Sequence, residues 1–294
     1  MTLLELKNKF LAKLANLYPK EEILSFFSLL IDFKLGLDKI YIALNPNQTI
    51  EKNHLNYFNK ALTDLQNEKP IQYIIGETEF YGLPFYVNHH VLIPRPETEE
   101  LVDWILPLPN PPQKGGNLNI LDIGTGSGCI AVSLAKNLPN ACVYAIDISA
   151  NALQIAKQNA VSNKVSVEFI EHDIINTNVI QSGSKDLNLK FDLIISNPPY
   201  VRQSEKQEIK DNVLQHEPHL ALFVPDENPL LFYDHIAAFA EENLTKNGEL
   251  YFEINQYLGQ ETITMLKEKG FSNIELKKDL FGNDRMVRAN FTKK

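Results

Sequence analysis

The sequence predicts an α/β protein with a mainly parallel β-sheet, preceded by a small all-helical region and a β-hairpin. From residue 118 onward, short apolar strand segments alternate with helical segments, a pattern typical of parallel strands joined by right-handed crossovers. Residues 1–72 instead repeat apolar side chains at helical spacing and contain no glycine before Gly36. We therefore expect a helical bundle at 1–72, a β-hairpin linker at 73–97 and an α/β domain at 98–294.

Composition and charge restrict the class of protein. The chain has 294 residues, of which 44% are hydrophobic and 22% charged, and this length suits one large domain with a smaller one. No apolar run is as long as a membrane span, and residues 1–9 lack the order of a secretory signal, so a cytoplasmic protein is expected. The net charge of −9 disfavours direct nucleic-acid binding, which generally requires a basic surface, although a local basic patch is compatible with it.

The cysteines and histidines indicate no metal site. The two cysteines, Cys129 and Cys142, lie in apolar stretches and are expected to be buried free thiols rather than a disulfide or zinc ligands. The seven histidines show no metal-ligand spacing. We therefore expect the chemistry of this protein to depend on residue types other than cysteine and histidine.

The first region is expected to pack as a bundle or to hold a macromolecular partner, and its sequence does not separate these roles. Residues 70–96 then change character, with aromatic and β-branched residues interrupted by glycine and proline, which predicts a hairpin. Pro96 and the acidic residues after it suit the start of a helix at about 98–106. A loop rich in proline and glycine is predicted at 110–116.

The α/β domain is predicted to alternate strands and helices up to its last two strands, with a loop-rich insertion after the fourth strand. Its strands are predicted at 119–123, 142–148, 165–171, 191–196, 249–254, 274–278 and 286–291. Its helices are predicted at 129–137, 150–162, 230–244 and 260–269.

Three of the strand ends contain residue types suited to a nucleoside. The glycines of residues 124–128 allow a tight turn and close approach to a ligand, but their Gly-x-Gly-x-Gly spacing differs from that of a dinucleotide site. Asp147 ends the second strand, where a carboxylate can accept both hydroxyls of a ribose. After the third strand, Asp173 could accept from an adenine amino group and Ile174 could cover the ring.

The fourth of these strands runs into Asn197-Pro198-Pro199-Tyr200. Two prolines end it, because neither can donate to a β-ladder. The side-chain oxygen of Asn197 and the carbonyl of Pro198 are two acceptors that suit a planar NH2 group, and Tyr200 could pack against its face. Such a site leaves the nitrogen open to an electrophile and needs no ionisable base. Alone, the tetrapeptide is equally compatible with a simple turn.

Together these features resemble the class I (Rossmann-like) S-adenosylmethionine-dependent methyltransferases, whose amino-group members carry this tetrapeptide. Three segments make the resemblance closer: Gln-Tyr-Ile-Ile-Gly-Glu-Thr-Glu-Phe-Tyr-Gly at 72–82, Leu-Ile-Pro-Arg-Pro-Glu-Thr-Glu at 92–99 and Leu-Asp-Ile-Gly-Thr-Gly-Ser-Gly at 121–128. In this order they resemble the bacterial release factor glutamine methyltransferases (the PrmC/HemK family). The segments 217–222 and 281–285 are also similar, so the resemblance extends nearly end to end.

The resemblance implies transfer of a methyl group from S-adenosylmethionine to the side-chain amide nitrogen (N5) of the glutamine in the Gly-Gly-Gln motif of peptide chain release factors. The release factor would be recognised by the helical bundle, and a monomer is expected. The implied cofactor contacts are Gly124, Thr125, Gly126, Ser127, Gly128, Asp147, Asp173, Ile174 and Asn197. The implied glutamine pocket is Asn197, Pro198, Pro199 and Tyr200, of which Asn197, Pro198 and Tyr200 are the catalytic residues.

Two places depart from the family pattern, the loop 225–229, which lacks a glycine, and Asn255, which stands where the family often has glycine. Both are expected to lie away from the site. The alternative substrate is DNA, since the exocyclic amino group of a flipped adenine would satisfy the same two acceptors. The negative net charge and the absence of a recognisable target-recognition domain oppose this DNA adenine-N6 methyltransferase hypothesis. A scaffold that only binds the donor or a partner is the non-catalytic alternative.

Overall fold

The computed structural model describes residues 1–107, 118–176 and 189–291, with the backbone alone of 181–182 and 185–186. The predicted loop at 110–116 lies outside these residues. The chain divides into a helical unit, residues 1–76 and 210–216, and an α/β unit, residues 77–209 and 217–294. Within the described ranges, no helix has both the length and the hydrophobicity needed to cross a membrane.

The helical unit consists of short amphipathic helices around one apolar core. Thr2 begins the first helix with a capping box, in which its hydroxyl accepts from the Glu5 N–H and the Glu5 carboxylate accepts from the Thr2 N–H. The core is built from leucine, isoleucine and phenylalanine, including the fully buried Phe10, Leu30 and Phe58. The helices are α1 Leu3–Leu14, α2 Lys20–Leu35, α3 Lys39–Leu44, α4 Lys52–Gln66 and α5 Ile71–Ile75.

The last of these helices occupies a stretch that the sequence predicts as hairpin. Pro70 precedes α5 with a φ of −52°, which suits a helix start, and Gly76 ends it in the left-handed conformation. A short helix at Asp211–His216 also belongs to this unit, and the His216 ring donates to the carbonyl of Asn67 at 2.8 Å.

The hairpin itself follows Gly76, and the strands after it form the predicted sheet. The strands are β1 Glu77–Phe80, β2 Leu83–Tyr86, β3 Asn119–Ile123, β4 Cys142–Asp147, β5 Glu168–Glu171, β6 Gln181–Ser182, β7 Lys185–Asp186, β8 Phe191–Ser196, β9 Val201–Arg202, β10 Phe223–Val224, β11 Leu244–Glu253, β12 Phe271–Lys278 and β13 Asp284–Phe291. Among the described residues, seven strands form the main sheet in the order β12-β13-β11-β8-β3-β4-β5. Its pairs are parallel except those that β13 makes with β11 and β12, which confirms the mainly parallel α/β fold.

Helices follow most of the strands, as the predicted alternation requires. They are α6 Pro96–Ile105, α7 Cys129–Asn137, α8 Ala150–Ser162, α9 Asp211–His216, α10 Leu231–Asn243 and α11 Gly259–Glu268. The loop-rich insertion predicted after β8 contains α9 and two 3₁₀ turns, Gln203–Glu208 and His219–Ala221. Strand β5 is shorter than predicted and β11 begins earlier, with an irregular register between Leu244 and Glu249.

The central strands carry apolar residues on both faces, because helices cover the sheet on both sides. In β3 and β8 alike, nearly every residue is buried. The two strands are neighbours, and the Ser196 hydroxyl donates to the Ile123 carbonyl at 2.6 Å where both strands end. This bond fixes the chain just before the glycine loop and just before Asn197.

Candidate active site

A cavity of about 300 Å³ lies at the carboxyl edge of the main sheet. Its wall includes the residues that follow four neighbouring parallel strands, at 123–127, 146–149, 172–175 and 196–199. Small-molecule sites have volumes of roughly 300–1,000 Å³ and prefer this edge of an open α/β sheet. The structure thus brings most of the predicted nucleoside residues, and Asn197, Pro198 and Pro199 of the predicted acceptor turn, to one cavity.

The glycine loop, residues 124–128, turns the chain between β3 and α7. Its three glycines have φ angles of 74°, 54° and 81°, a region that residues with a Cβ rarely adopt. The first four residues of the loop line the cavity, whereas Gly128 does not. A Cβ on Gly128 would lie 3.0 Å from the Cβ of Ala156, so this glycine permits close packing of α7 against α8.

Asp147 ends β4 and lines the cavity beside the glycine loop. One carboxylate oxygen accepts from the Gly126 N–H at 2.8 Å and the other accepts from the Ser149 N–H at 2.9 Å. Burial raises the pKa of Asp147, while these backbone donors act in the opposite direction. The bonds hold the carboxylate in place, and each oxygen keeps a lone pair for a hydroxyl in the cavity.

Asp173 and Ile174 follow β5 and line the same cavity. The Asp173 carboxylate accepts from the Ile175 N–H at 2.9 Å and from the Asn176 side chain. The Ile174 side chain is buried at 8% exposure and packs into the core beneath the cavity. The pair therefore places a hydrogen-bond acceptor next to an apolar surface, as a planar, amino-bearing ring requires.

The acceptor turn begins where β8 ends. Asn197, Pro198 and Pro199 line the cavity. The Asn197 amide group donates through Nδ2 to the Thr98 hydroxyl at 3.1 Å, which leaves its Oδ1 as an acceptor. Tyr200 does not line the cavity, which departs from the expectation that it packs against the substrate NH2 group. Its hydroxyl instead donates to Oε1 of Glu253 at 3.0 Å.

Glu253 is a buried carboxylate behind this turn, with 1% exposure. Its second oxygen, Oε2, accepts from the Thr98 hydroxyl at 2.6 Å. Burial raises the pKa of Glu253, and the two hydroxyl donors and the positive charge of Arg285 oppose that increase. Arg285 in turn pairs with Asp279, the Nε–Oδ2 distance being 3.1 Å.

The remaining wall comes from the segment that precedes α6. Residues 89–92, 94 and 95 line the cavity with Thr98. Arg95 donates to Glu217 at 2.6 Å, and the other oxygen of this carboxylate accepts from the Ile93 N–H at 3.2 Å. Glu217 thereby holds the segment beside Pro218, which also lines the cavity.

Comparison with known proteins identifies the family. Residues 5–76 match the PrmC N-terminal domain, and residues 107–220 match the Methyltransferase small domain. A release factor glutamine methyltransferase from Flavobacterium psychrophilum is 53% identical over 285 residues, covering 97% of this chain and 98% of the relative. The chain belongs to the release factor glutamine methyltransferases. A member from Bacteroides thetaiotaomicron is 45% identical, covering 94% of this chain and 96% of the relative.

Solved structures agree with the methyltransferase fold. A crystal structure of a methyltransferase from Pyrococcus furiosus superimposes with a TM-score of 0.51 at 16% identity. The similarity covers 83% of this chain and all of that one. The class I methyltransferase fold inferred from the sequence is therefore confirmed.

The expectation for Asn255 is wrong. Asn255 was expected to lie away from the site, yet its Nδ2 donates to the carbonyl of Tyr200 at 3.0 Å and to Glu205 at 3.0 Å. Because Asn255 follows β11 by two residues, its side chain reaches the acceptor turn at the end of the neighbouring β8. A glycine at this position could not make these bonds. The loop 225–229 does not line the cavity.

Neither Cys129 nor Cys142 of the methyltransferase forms a disulfide, and both are only partly buried, which corrects the expectation of buried thiols. Cys129, the first residue of α7, lines the cavity. Desolvation raises the pKa of its thiol to about 12, and the nearby Asp122 carboxylate adds to the shift. No group of three or more acidic, histidine or cysteine residues within the described part of the chain could hold a metal ion.

Sequence reasoning missed two polar residues behind the acceptor turn, Thr98 and Glu253. Thr98 lies within the segment at 92–99, which carries part of the family resemblance but does not by itself indicate chemistry. Glu253 lies at the end of an apolar strand, where a carboxylate is costly to bury unless it has partners. That position was a signal of function, but the sequence does not indicate which partners it has.

Proposed function

We propose that this chain transfers a methyl group from S-adenosylmethionine to the N5 amide nitrogen of the glutamine in the Gly-Gly-Gln motif of peptide chain release factors. The observation that best supports this is the orientation of Asn197, whose amide nitrogen is already bonded to Thr98. Its oxygen and the Pro198 carbonyl can then receive the two hydrogens of a substrate NH2 group. The relatives described above are named for this substrate, and they offer no support for the DNA adenine alternative.

The lining of the cavity suits the chemistry of the donor. The glycine loop lets a ligand approach the backbone, Asp147 offers two fixed oxygens to a ribose, and Asp173 with Ile174 suits an adenine. When bound, S-adenosylmethionine supplies a methyl group on a positively charged sulfonium. These carboxylates and Asn197 are therefore the proposed cofactor contacts.

The protein contributes positioning and electrostatics to the reaction. An amide nitrogen is a weak nucleophile because its lone pair is delocalised, so a base alone would not suffice. Two acceptors hold the NH2 group in line with the methyl group and stabilise the positive charge that grows on nitrogen. The N–C bond forms as the C–S bond breaks, its electron pair stays on sulfur, and one amide proton is lost during or after transfer.

The remaining parts of the proposal concern the partner. The helical bundle at 1–72 is proposed to recognise the release factor, and the hairpin linker at 73–97 to join it to the catalytic domain at 98–294. The enzyme would then act in the cytoplasm, as a monomer, on factors of translation termination. The family match to residues 5–76 supports a role specific to this family.

A labelling experiment tests the function. Purified protein and methyl-labelled S-adenosylmethionine are mixed with a release factor, with its Gly-Gly-Gln Gln→Ala variant and with adenine-rich duplex DNA. We expect label on the intact release factor alone. Label on DNA with none on the release factor would overturn the proposal.

Mutation of the acceptor tests the site. In Asn197→Ala, we expect turnover to fall by about 10²-fold or more, the scale for loss of one preorganised polar contact, while donor binding largely survives. Turnover is measured by label transfer and donor binding by calorimetry. Near-normal turnover in this variant would refute the assignment of Asn197 as acceptor.

A further inference from the structure

The Thr98 hydroxyl lies between Asn197 and Glu253. It donates to Oε2 of Glu253 at 2.6 Å and accepts from Nδ2 of Asn197 at 3.1 Å. Thr98 and Glu253 are 2% and 1% exposed. Solvent is therefore kept from these two side chains, and the polar atoms depend on one another for hydrogen bonds.

The hydrogen bonds from Asn197 to Thr98 and from Thr98 to Glu253 are donated in the same direction. A hydroxyl has a single proton, and that of Thr98 is donated to the Glu253 carboxylate, so only lone pairs face Asn197. The NH2 end of the Asn197 amide can meet those lone pairs. The opposite orientation would place Oδ1 against the hydroxyl oxygen with no proton between them. The carboxylate thus selects one of the two orientations of the Asn197 amide.

Glu253 is itself held in place at both oxygens. Tyr200 donates to Oε1 at 3.0 Å, and an ionised carboxylate can accept from both hydroxyls. The three side chains come from separate elements, since Thr98 lies in α6, Glu253 ends β11 and Tyr200 follows β8. Their geometry is consequently set by the packing of the α/β unit and not by a local turn.

We propose that Thr98 and Glu253 are positioning residues that fix the amide of Asn197 with its oxygen toward the cavity, and thereby make the acceptor site select an amide NH2 over a carboxylate. This inference rests on the proposed function. With Asn197 Oδ1 and the Pro198 carbonyl both offering lone pairs, a glutamate side chain would meet two repelling oxygens. An Asn197 amide in the opposite orientation would donate to that carboxylate instead.

Three variants test this relay, meaning the hydrogen bonds that run from Asn197 through Thr98 to Glu253. Thr98→Val has a similar shape without the hydroxyl, Thr98→Ser keeps the hydroxyl, and Thr262→Val is the matched control. The Thr262 hydroxyl is also buried but donates only to the helix carbonyl of Leu258, at 2.8 Å. With a release factor as substrate, we expect kcat of Thr98→Val to fall about 10-fold or more, as misplacement of a positioning group does. We expect kcat of Thr98→Ser and of Thr262→Val to stay within about twofold of the wild type.

Discrimination between glutamine and glutamate in the release factor provides a measurement that a purely structural role of Thr98 would not change. A release factor carrying Gln→Glu in its Gly-Gly-Gln motif is tested as an inhibitor. It should inhibit the wild type weakly and Thr98→Val about 10-fold more strongly, since the freed Asn197 amide can donate to the carboxylate. The Thr262→Val control should behave as the wild type does.

A second variant keeps the test decisive if Thr98→Val does not fold. In Glu253→Gln, the side chain retains one acceptor for two hydroxyl donors, so kcat should fall and inhibition by the Gln→Glu factor should increase. Wild-type kcat and unchanged inhibition in the folded relay variants would overturn the relay but leave the proposed function intact. A wild-type enzyme that does not methylate the release factor would overturn both.

Discussion

The Asp122 side chain lies beneath the glycine loop and has no exposed surface. Its Oδ2 accepts from the Thr125 hydroxyl at 2.6 Å. Burial raises the pKa of Asp122 to about 7, and the charge of Asp147 adds to the shift, while the bond from Thr125 opposes it. The side chain anchors a loop that lines the cavity, so its ionisation affects both stability and the site.

The raised pKa predicts a loss of stability with increasing pH. Because the folded protein binds this proton more tightly than the unfolded chain, the contribution is complete below about pH 4, the ordinary carboxyl pKa, and is lost as pH rises through about 7. Between pH 5 and pH 8 the loss should be about 2–3 kcal/mol, at about 1.4 kcal/mol per pKa unit. Asp122→Asn should remove it. Urea unfolding of both proteins at the two pH values measures the difference, and identical pH dependence would contradict the prediction.

At the scale of elements, Asn159 joins three parts of the α/β unit. It lies in α8 with no exposed surface. Its side chain accepts from the Tyr86 N–H at 2.7 Å and donates to the Tyr86 carbonyl at 3.0 Å and the Ser127 carbonyl at 2.9 Å. One turn later, Asn163 donates to the Pro84 carbonyl at 2.8 Å. Strand β2 and the glycine loop are thus both attached to one helix.

Removal of this side chain should weaken both attachments. We expect Asn159→Ala to lower the free energy of unfolding by about 2–3 kcal/mol, since buried groups that lose a partner cost about 1–3 kcal/mol. It should also weaken donor binding, because Ser127 lines the cavity. The control is Asn137→Ala, whose side chain bonds only to the Ser133 carbonyl of its own helix, and which should change stability by less than about 0.5 kcal/mol. Equal effects of the two substitutions in urea unfolding would contradict the prediction.

For the whole molecule, sequence predicted the fold class and several elements with the bounds that the structure has. Strands β3 and β8 are examples, because each is an apolar run that stops at glycine or proline. Helix α5 was missed because five residues between a proline and a glycine give too short a pattern to separate a helix from a hairpin. The pair Thr98 and Glu253 was missed because 155 residues separate them, and a single sequence contains no signal for such a contact.

The division into two units predicts which residues S-adenosylmethionine protects from hydrogen exchange. Every residue that lines the cavity belongs to the α/β unit. Saturating S-adenosylmethionine should therefore slow amide hydrogen exchange at 124–128, 147–149 and 172–175 and leave the helices of residues 1–76 largely unchanged. NAD at the same concentration is the control, since the glycine spacing does not suit a pyrophosphate. Equal protection of both units, or protection by NAD, would contradict the prediction.

The high pKa of Cys129 affects how readily the enzyme could be methylated by its own donor. A sulfonium compound alkylates thiolates readily in principle, and this thiol lines the cavity proposed to hold one. Because the thiolate is the nucleophile and its pKa is raised to about 12, the side chain stays protonated at neutral pH. Cys129 is therefore held in the form that is the weaker nucleophile toward a methyl donor in the cavity.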